Sequence, residues 1–245
     1  MKKTLLFVLA LIAVGCAEPI PRNLDDLVQQ GEVYLDRETM RAYSGPVFQL
    51  FSDDTTTIQS AFTLRDGKRG EHGTDETYYE NGQLRVKEIY VAGELDGPFE
   101  SYYENGQLRF KGTYVAGEQD GPVESYHENG QLRSKRTYAA GELDGPAEFY
   151  HENGNLQFKG TYVAGERDGL HEAYYENGQL DRKLTYVAGQ LHGLREVYLE
   201  NGQLFVGGTY DMGEKCGEWL ESLGPPRTDR NVTYPPCPPG LEDGN

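Results

Sequence analysis

The chain has 245 residues, 23 basic against 40 acidic, with a net charge of −17 and a mean hydropathy of −0.69. That acidity excludes a basic nucleic-acid footprint, and anionic lipid headgroups should repel the body of the protein. A hydrophobic fraction of 37%, much of it Tyr, is low for a compact globule, and the 31 Gly recur at fixed positions rather than in a flexible linker.

Met1-Lys2-Lys3 is a short positive segment, followed by an apolar run, Thr4 to Val14, too short to span a bilayer as a helix. Ala13-Val14-Gly15-Cys16 then resembles the end of a bacterial lipoprotein signal, with residues 1–15 as the signal peptide and Cys16 as the lipidated first residue. Ordinary cleavage near Gly15 or Ala17, which leaves Cys16 unlipidated, and a retained anchor are the alternatives. The resemblance implies an exported protein that meets the membrane only through its lipid. Ala17 in place of Asp points to the outer membrane where there are two. Residues 16–30 read as a tether.

Residues 31–72 read as a degenerate first repeat and N-terminal cap. "GEVYLD" (Gly31–Asp36) predicts a strand, and "YSGPVFQLFSDD" (Tyr43–Asp54) imitates a Gly-Pro strand with its turn. Six regular repeats follow over 73–216. "YENGQLRFKGTYVAGEQDGP" (Tyr103–Pro122) returns 24 residues later as "HENGQLRSKRTYAAGELDGP". Asn-Gly between runs rich in Tyr, Val, Phe and Thr is a strong hairpin signal. Each repeat therefore reads as strand, Glu-Asn-Gly turn, strand, Ala-Gly turn. The third glycine of each repeat, such as Gly121 before Pro122, predicts a bulge or bend.

Tyr recurs every 12 residues from Tyr78 to Tyr210, one per strand, so stacking predicts two tyrosine rows. The turn register decides which residues share a face. A two-residue Asn-Gly loop pairs Tyr103 with Leu108 and Glu100 with Lys111. The preferred three-residue loop pairs Tyr102 with Leu108, and predicts Glu100, Tyr102, Leu108 and Tyr114 on one face with Gly112. Residues 217–245 read as a C-terminal cap, with Trp219 and Leu220 in the last strand, and a proline-rich tail that is irregular or polyproline-like. With Cys16 lipidated, Cys216 and Cys237 remain as a disulfide pair in an oxidising compartment; two free thiols are the alternative.

These residues resemble the MORN repeat, in the variant form of bacterial antitoxins of the YwqK type. The resemblance covers about residues 31–221. It implies an all-β fold, an elongated single-layer antiparallel meander of about seven stacked 24-residue hairpin repeats, in agreement with the periodicity. It implies a binding or scaffolding role and supplies no catalytic motif or cofactor. A lipid-anchored immunity protein that meets a toxin outside the cytoplasm would reconcile the antitoxin likeness with the signal.

No enzyme is expected, because a periodic row of carboxylates offers like environments where acid–base catalysis needs unlike ones. His127 and His151 stand at equivalent positions, roughly 9.5 Å apart by strand spacing, too far for a shared zinc. The expected partner is a protein, a toxin among the candidates. Its expected surface is the face opposite Tyr102, carrying Tyr79, Tyr103, Arg109, His127, Arg133, His151 and Tyr175, with Arg85 and a row of lysines (Lys87, Lys111, Lys135, Lys159, Lys183) beside them. Self-association as an envelope scaffold is the second reading.

Overall fold

The structure is a computed structural model that describes residues 21–52, 57–222 and 229–241. The signal-like segment, Cys16 and Ala17 lie outside the described residues. At the N-terminal end stand β1 (Arg22–Asn23), a 3-10 turn (Leu24–Asp26), β2 (Leu27–Gln30), β3 (Val33–Asp36), β4 (Gly45–Leu50) and β5 (Ile58–Arg65). The next repeats supply β6 (Lys68–Arg69), β7 (His72–Tyr78), β8 (Leu84–Val91), β9 (Glu94–Leu95), β10 (Gly97–Tyr102), β11 (Leu108–Val115), β12 (Glu118–Gln119), β13 (Gly121–Tyr126) and β14 (Leu132–Ala139). The remainder are β15 (Glu142–Tyr150), β16 (Leu156–Val163), β17 (Glu166–Tyr174), β18 (Leu180–Val187), β19 (Gln190–Tyr198), β20 (Leu204–Asp211), β21 (Glu214–Ser222) and β22 (Asp229–Thr233). Twenty of these strands form one sheet in which each repeat pairs with the next, so the all-β meander is present. All its pairings are antiparallel except β1 alongside β4.

The turns explain the repeat. In the Glu-Asn-Gly turn the Tyr103 amide donates to the Gln107 carbonyl at 2.8 Å, and Gly106 donates to the Tyr103 carbonyl at 2.9 Å. The Gln107 amide donates to Asn105 Oδ1 at 2.9 Å. Gly106 has φ 84°, which an L side chain rarely adopts. At the other edge Val115 pairs with Glu118 around Ala116 (φ 48°) and Gly117 (φ 83°). Two positive φ values in a two-residue loop define a type I′ turn, whose twist suits a hairpin. The third glycine makes the expected bulge. Arg136 pairs with Ala147 and Tyr138 with Leu143, so Asp144, Gly145 and Pro146 face Thr137 alone.

Successive repeats are also tied at both edges. The Gly117 amide donates to the Leu95 carbonyl at 2.8 Å, and Gly141 to Gln119 at 2.9 Å. At the opposite edge Asn129 Nδ2 donates to the Glu152 carbonyl at 3.0 Å, and Asn153 to Glu176 at 3.0 Å. A solitary hairpin is marginal in water, so these ties and the packing between repeats stabilise what no single repeat could.

Packing concentrates in one column spaced by 24 residues: Phe99, Val123, Ala147, His171, Arg195 and Trp219. Val123, Ala147, His171 and Trp219 are 0%, 0%, 2% and 1% exposed. The bulkiest of them face glycine. A Cβ on Gly160 would lie 2.4 Å from His171 Nδ1, and one on Gly208 would lie 2.2 Å from Trp219. Neither glycine is needed for φ; both are needed for space.

Residues 22–30 correct the expected tether, because apolar Leu24 and Leu27 have a core to join. The β2–β3 hairpin stands apart from the main sheet, and Leu27 is buried with Val47, Phe62 and Leu64. "GEVYLD" therefore yields a strand of the cap rather than of the array. The proline-rich tail is corrected in part: β22 pairs with β21, Glu218 opposite Thr233. There Trp219 Nε1 donates to the Cys216 and Thr209 carbonyls, and the Tyr234 ring stands 6.1 Å from Trp219. Cys216 and Cys237 are joined as a disulfide, with Cα atoms 4.9 Å apart.

Candidate functional site

The site begins with a single extra residue. Tyr102 pairs with Leu108, as the three-residue loop requires, but Ser101 pairs with Phe110, so Arg109 is bulged out of the ladder. The same bulge leaves Arg85, Arg133, Gln157 and Asp181 between paired neighbours in other repeats. Beyond it the register moves by one: Glu100 pairs with Lys111, Phe99 with Gly112 and Gly97 with Tyr114. Side chains alternate with period two, so this one residue reassigns the faces.

The expected grouping of Glu100, Tyr102, Leu108 and Tyr114 with Gly112 is therefore corrected. Glu100 and Tyr102 share a charged face, where the Tyr102 hydroxyl donates to Glu100 at 2.7 Å. Tyr114 lies on the other face with Phe99 and Phe110, its ring 5.7 Å from Phe99. The tyrosine rows exist, but on opposite faces. The lysines are displaced from the expected stripe to the charged face. Lys111 pairs there with Glu124 at 2.7 Å, and Lys159 with Glu172 at 2.6 Å. Burial first, and then the hydrogen bond to Glu100, push the Tyr102 hydroxyl up to about 12. For Tyr150 the bond to Glu148 leads, to about the same value. These phenols stay neutral donors at ordinary pH.

The opposite, aromatic face holds a groove of about 970 Å³. Phe99, Phe110, Tyr114 and Phe149 give it apolar walls, and Ser125 and Ser134 face each other at 2.7 Å within it. Arg109 reaches this groove together with its neighbour Phe110, a placement that strict alternation would forbid and the bulge permits. Arg133 does likewise one repeat on, beside Ser134. Of the residues expected at a partner surface, Tyr103, Arg109, His127, Arg133 and His151 line this one groove; Tyr79 and Tyr175 do not.

Five of those side chains also carry structure. Tyr79, Tyr103 and Tyr175 donate to the carbonyls of Tyr102, Tyr126 and Tyr198, each at 2.8 Å. His127 and His151 place Nε2 at 3.0 Å from the carbonyls of Tyr150 and Tyr174. A carbonyl only accepts, so Nε2 carries the proton in both rings. Histidine stands in for tyrosine there because it too reaches the next repeat with an N–H donor.

Arg136 was not among the expected residues. It occupies the place of Gly112 and Gly160, between Val123 and Ala147, whose small side chains leave it room. Its guanidinium stands 5.6 Å from the Tyr138 ring and 5.9 Å from Phe149, and its Nε is buried without a hydrogen-bond partner. The available signal was the 24-residue column itself: Arg136 stands at the position that Gly112, Gly160 and Gly208 hold in three other repeats. Farther along the face His171 donates Nε2–H to the Thr161 carbonyl at 2.8 Å, with Phe158, Tyr162 and Tyr186 around its ring. Burial pushes its pKa below the usual histidine value, assisted by the Arg167 charge. The described residues include no group of three or more His, Cys, Asp or Glu placed to hold a metal.

No curated protein matches the chain. Residues 71–92, 95–116, 119–140, 143–164 and 167–188, one after another at a 24-residue spacing, match the MORN repeat variant family, so this stretch of the chain is similar to an array of such repeats.

Proposed function

We propose that the protein is a non-enzymatic binding module that holds a partner protein in the groove of its aromatic face. The groove itself carries this reading: several repeats line up aromatic walls and exposed arginines on one concave surface, the residue types that dominate protein interfaces. MORN-type repeats, which often serve as protein- or membrane-binding modules, agree with it. The finer reading is an immunity-like or antitoxin-like protein, lipid-anchored at Cys16 on the outer membrane, that neutralises a toxin. The alternative is an envelope scaffold that self-associates.

The test is cross-linking of the exported protein in its own envelope, followed by affinity measurement with the purified partner. Replacing Arg109→Ala with Arg133→Ala should weaken binding, while Glu104→Ala with Asp120→Ala at the turn edges should not. The reverse pattern would move the site to the acidic borders. Sedimentation of the protein alone, with reversible dimers in place of a captured partner, would favour the scaffold. Fractionation after Cys16→Ser checks the anchor: a protein that stays soluble with and without Cys16 is not lipid-anchored.

A further inference from the structure

We infer that the groove takes an acidic segment of the partner, with one carboxylate seated on the Arg136 guanidinium in the groove that Arg109 and Arg133 also line. The inference rests on the groove being the binding surface and names the chemistry it would select. Most cations placed near acids in this chain are satisfied. Lys87, Lys111 and Lys159 pair with glutamates at 2.6–3.0 Å, and Arg69 pairs with Asp75 at 2.8 Å. Arg109, Arg133 and Arg136 make no ion pair among the described residues, and what sets them apart from the other unpaired cations is that all three meet in one groove, one of them with a buried N–H that has no partner.

All three line the same groove. Arg136 is half-buried, and its Nε is removed from water without a hydrogen bond. A buried guanidinium N–H left without a partner is costly, and a carboxylate is the partner the planar fork fits best. The rings of Tyr138 and Phe149 hold the guanidinium in place, so little side-chain freedom is lost when an anion arrives.

The rest of the surface selects a peptide over a membrane or a nucleic acid. The turns bordering the groove carry exposed glutamates, Glu104, Glu128 and Glu152, and the net charge is −17. A flat anionic bilayer or a long polyanion would press against those borders before reaching the half-buried Arg136. A narrow segment lies between them. Glu152 and Glu176 line one end of the groove, so the acidic part of the segment lies toward Arg109 and Arg133.

The experiment selects a displayed random-peptide library on the full-length protein and measures the affinity of the enriched peptides. Acid-rich peptides should emerge, and Arg136→Gln should weaken them by about tenfold or more. Lys183→Gln, on the charged face, should leave them within about twofold. The surface variant Arg109→Gln with Arg133→Gln gives the same loss without touching the packed Arg136. Neutral peptides that still lose affinity with Tyr103→Ala would keep the groove and overturn the acidic segment. Equal losses in Arg136→Gln and Lys183→Gln, or no enrichment at all, would overturn it too. So would tighter binding to vesicles of phosphatidylcholine and phosphatidylglycerol than to any enriched peptide.

Discussion

His127 Nε2 lies 3.0 Å from the Tyr150 carbonyl, and Tyr103 makes the same contact with Tyr126 at 2.8 Å. Two unlike rings thus complete one ladder between repeats. The residue is chosen for a donor at the right reach, and the aromatic surface it presents to the groove comes with it.

His127→Tyr should therefore be nearly neutral, while His127→Phe should cost about 1 kcal/mol, because the Tyr150 carbonyl loses its donor. Urea unfolding of the two variants side by side checks this. Equal stability for Tyr and Phe would mean that the ladder bond contributes nothing.

Gly160 meets His171 and Gly112 meets Val123; a methyl group added to each glycine would lie 2.4 Å from its neighbour in the first case and 3.1 Å in the second. Gly160→Ala should destabilise by about 1–3 kcal/mol and Gly112→Ala by clearly less. Adding His171→Val to Gly160→Ala relieves the clash, since Val123 already fills that place opposite Gly112, and should restore most of the loss. If the double variant is no better than the single one, contact with His171 is not the cause.

Ala116 sits at φ 48° in its type I′ turn, and Ala92, Ala140, Ala164 and Ala188 do the same in theirs. Left-handed backbone costs an L side chain about 1–2 kcal/mol, whereas Asn tolerates it and Asn-Gly is the preferred pair for this turn. Ala116→Asn should raise stability by about 0.5–1 kcal/mol, and Ala116→Val should lower it. Thermal midpoints moving the other way would show that the alanine is not strained.

Glu221 accepts from Lys215 Nζ at 2.5 Å, from the Tyr234 hydroxyl at 2.9 Å and from Arg230 at 3.3 Å. Those bonds, that from Lys215 first, hold its carboxyl at about 2 against an ordinary 4.5. A carboxylate held low in the folded state stabilises fully above about pH 4.5, and that contribution is lost as the pH falls toward 2. Glu221→Gln should be less stable than wild type at neutral pH, and the gap should close across that window. A gap that stays constant down to pH 2 would remove the ion cluster as its source.

His171 works in the same pH direction by another route. Its pKa falls below 6.5 through burial, so the folded state resists the proton that the unfolded chain accepts. Stability should decline as the pH drops below about 6.5. His171→Val, which copies Val123 in the same column, should flatten that decline. An unchanged slope in the variant would assign the decline to other groups.

The 24-residue period, the Glu-Asn-Gly and Ala-Gly turns and the bulge at the third glycine are all legible in the chain, because each depends on local backbone preference. Asn-Gly and Gly at positive φ act within four or five residues, so "YENGQL" or "VAGE" carries the whole instruction. From them follow the meander and the stacking of like residues in rows.

Which row faces which side was decided only by the assembled sheet. The bulged position holds Arg85, Arg109, Arg133, Gln157 and Asp181 in turn, residues with no shared propensity, so nothing local announces it. It arises where the turn register, Tyr102 opposite Leu108, meets the ladder register, Glu100 opposite Lys111, and one residue must be left over. Because side chains alternate with period two, that residue sends the lysines to the charged face, Tyr114 to the aromatic one, and both Arg109 and Phe110 into the groove.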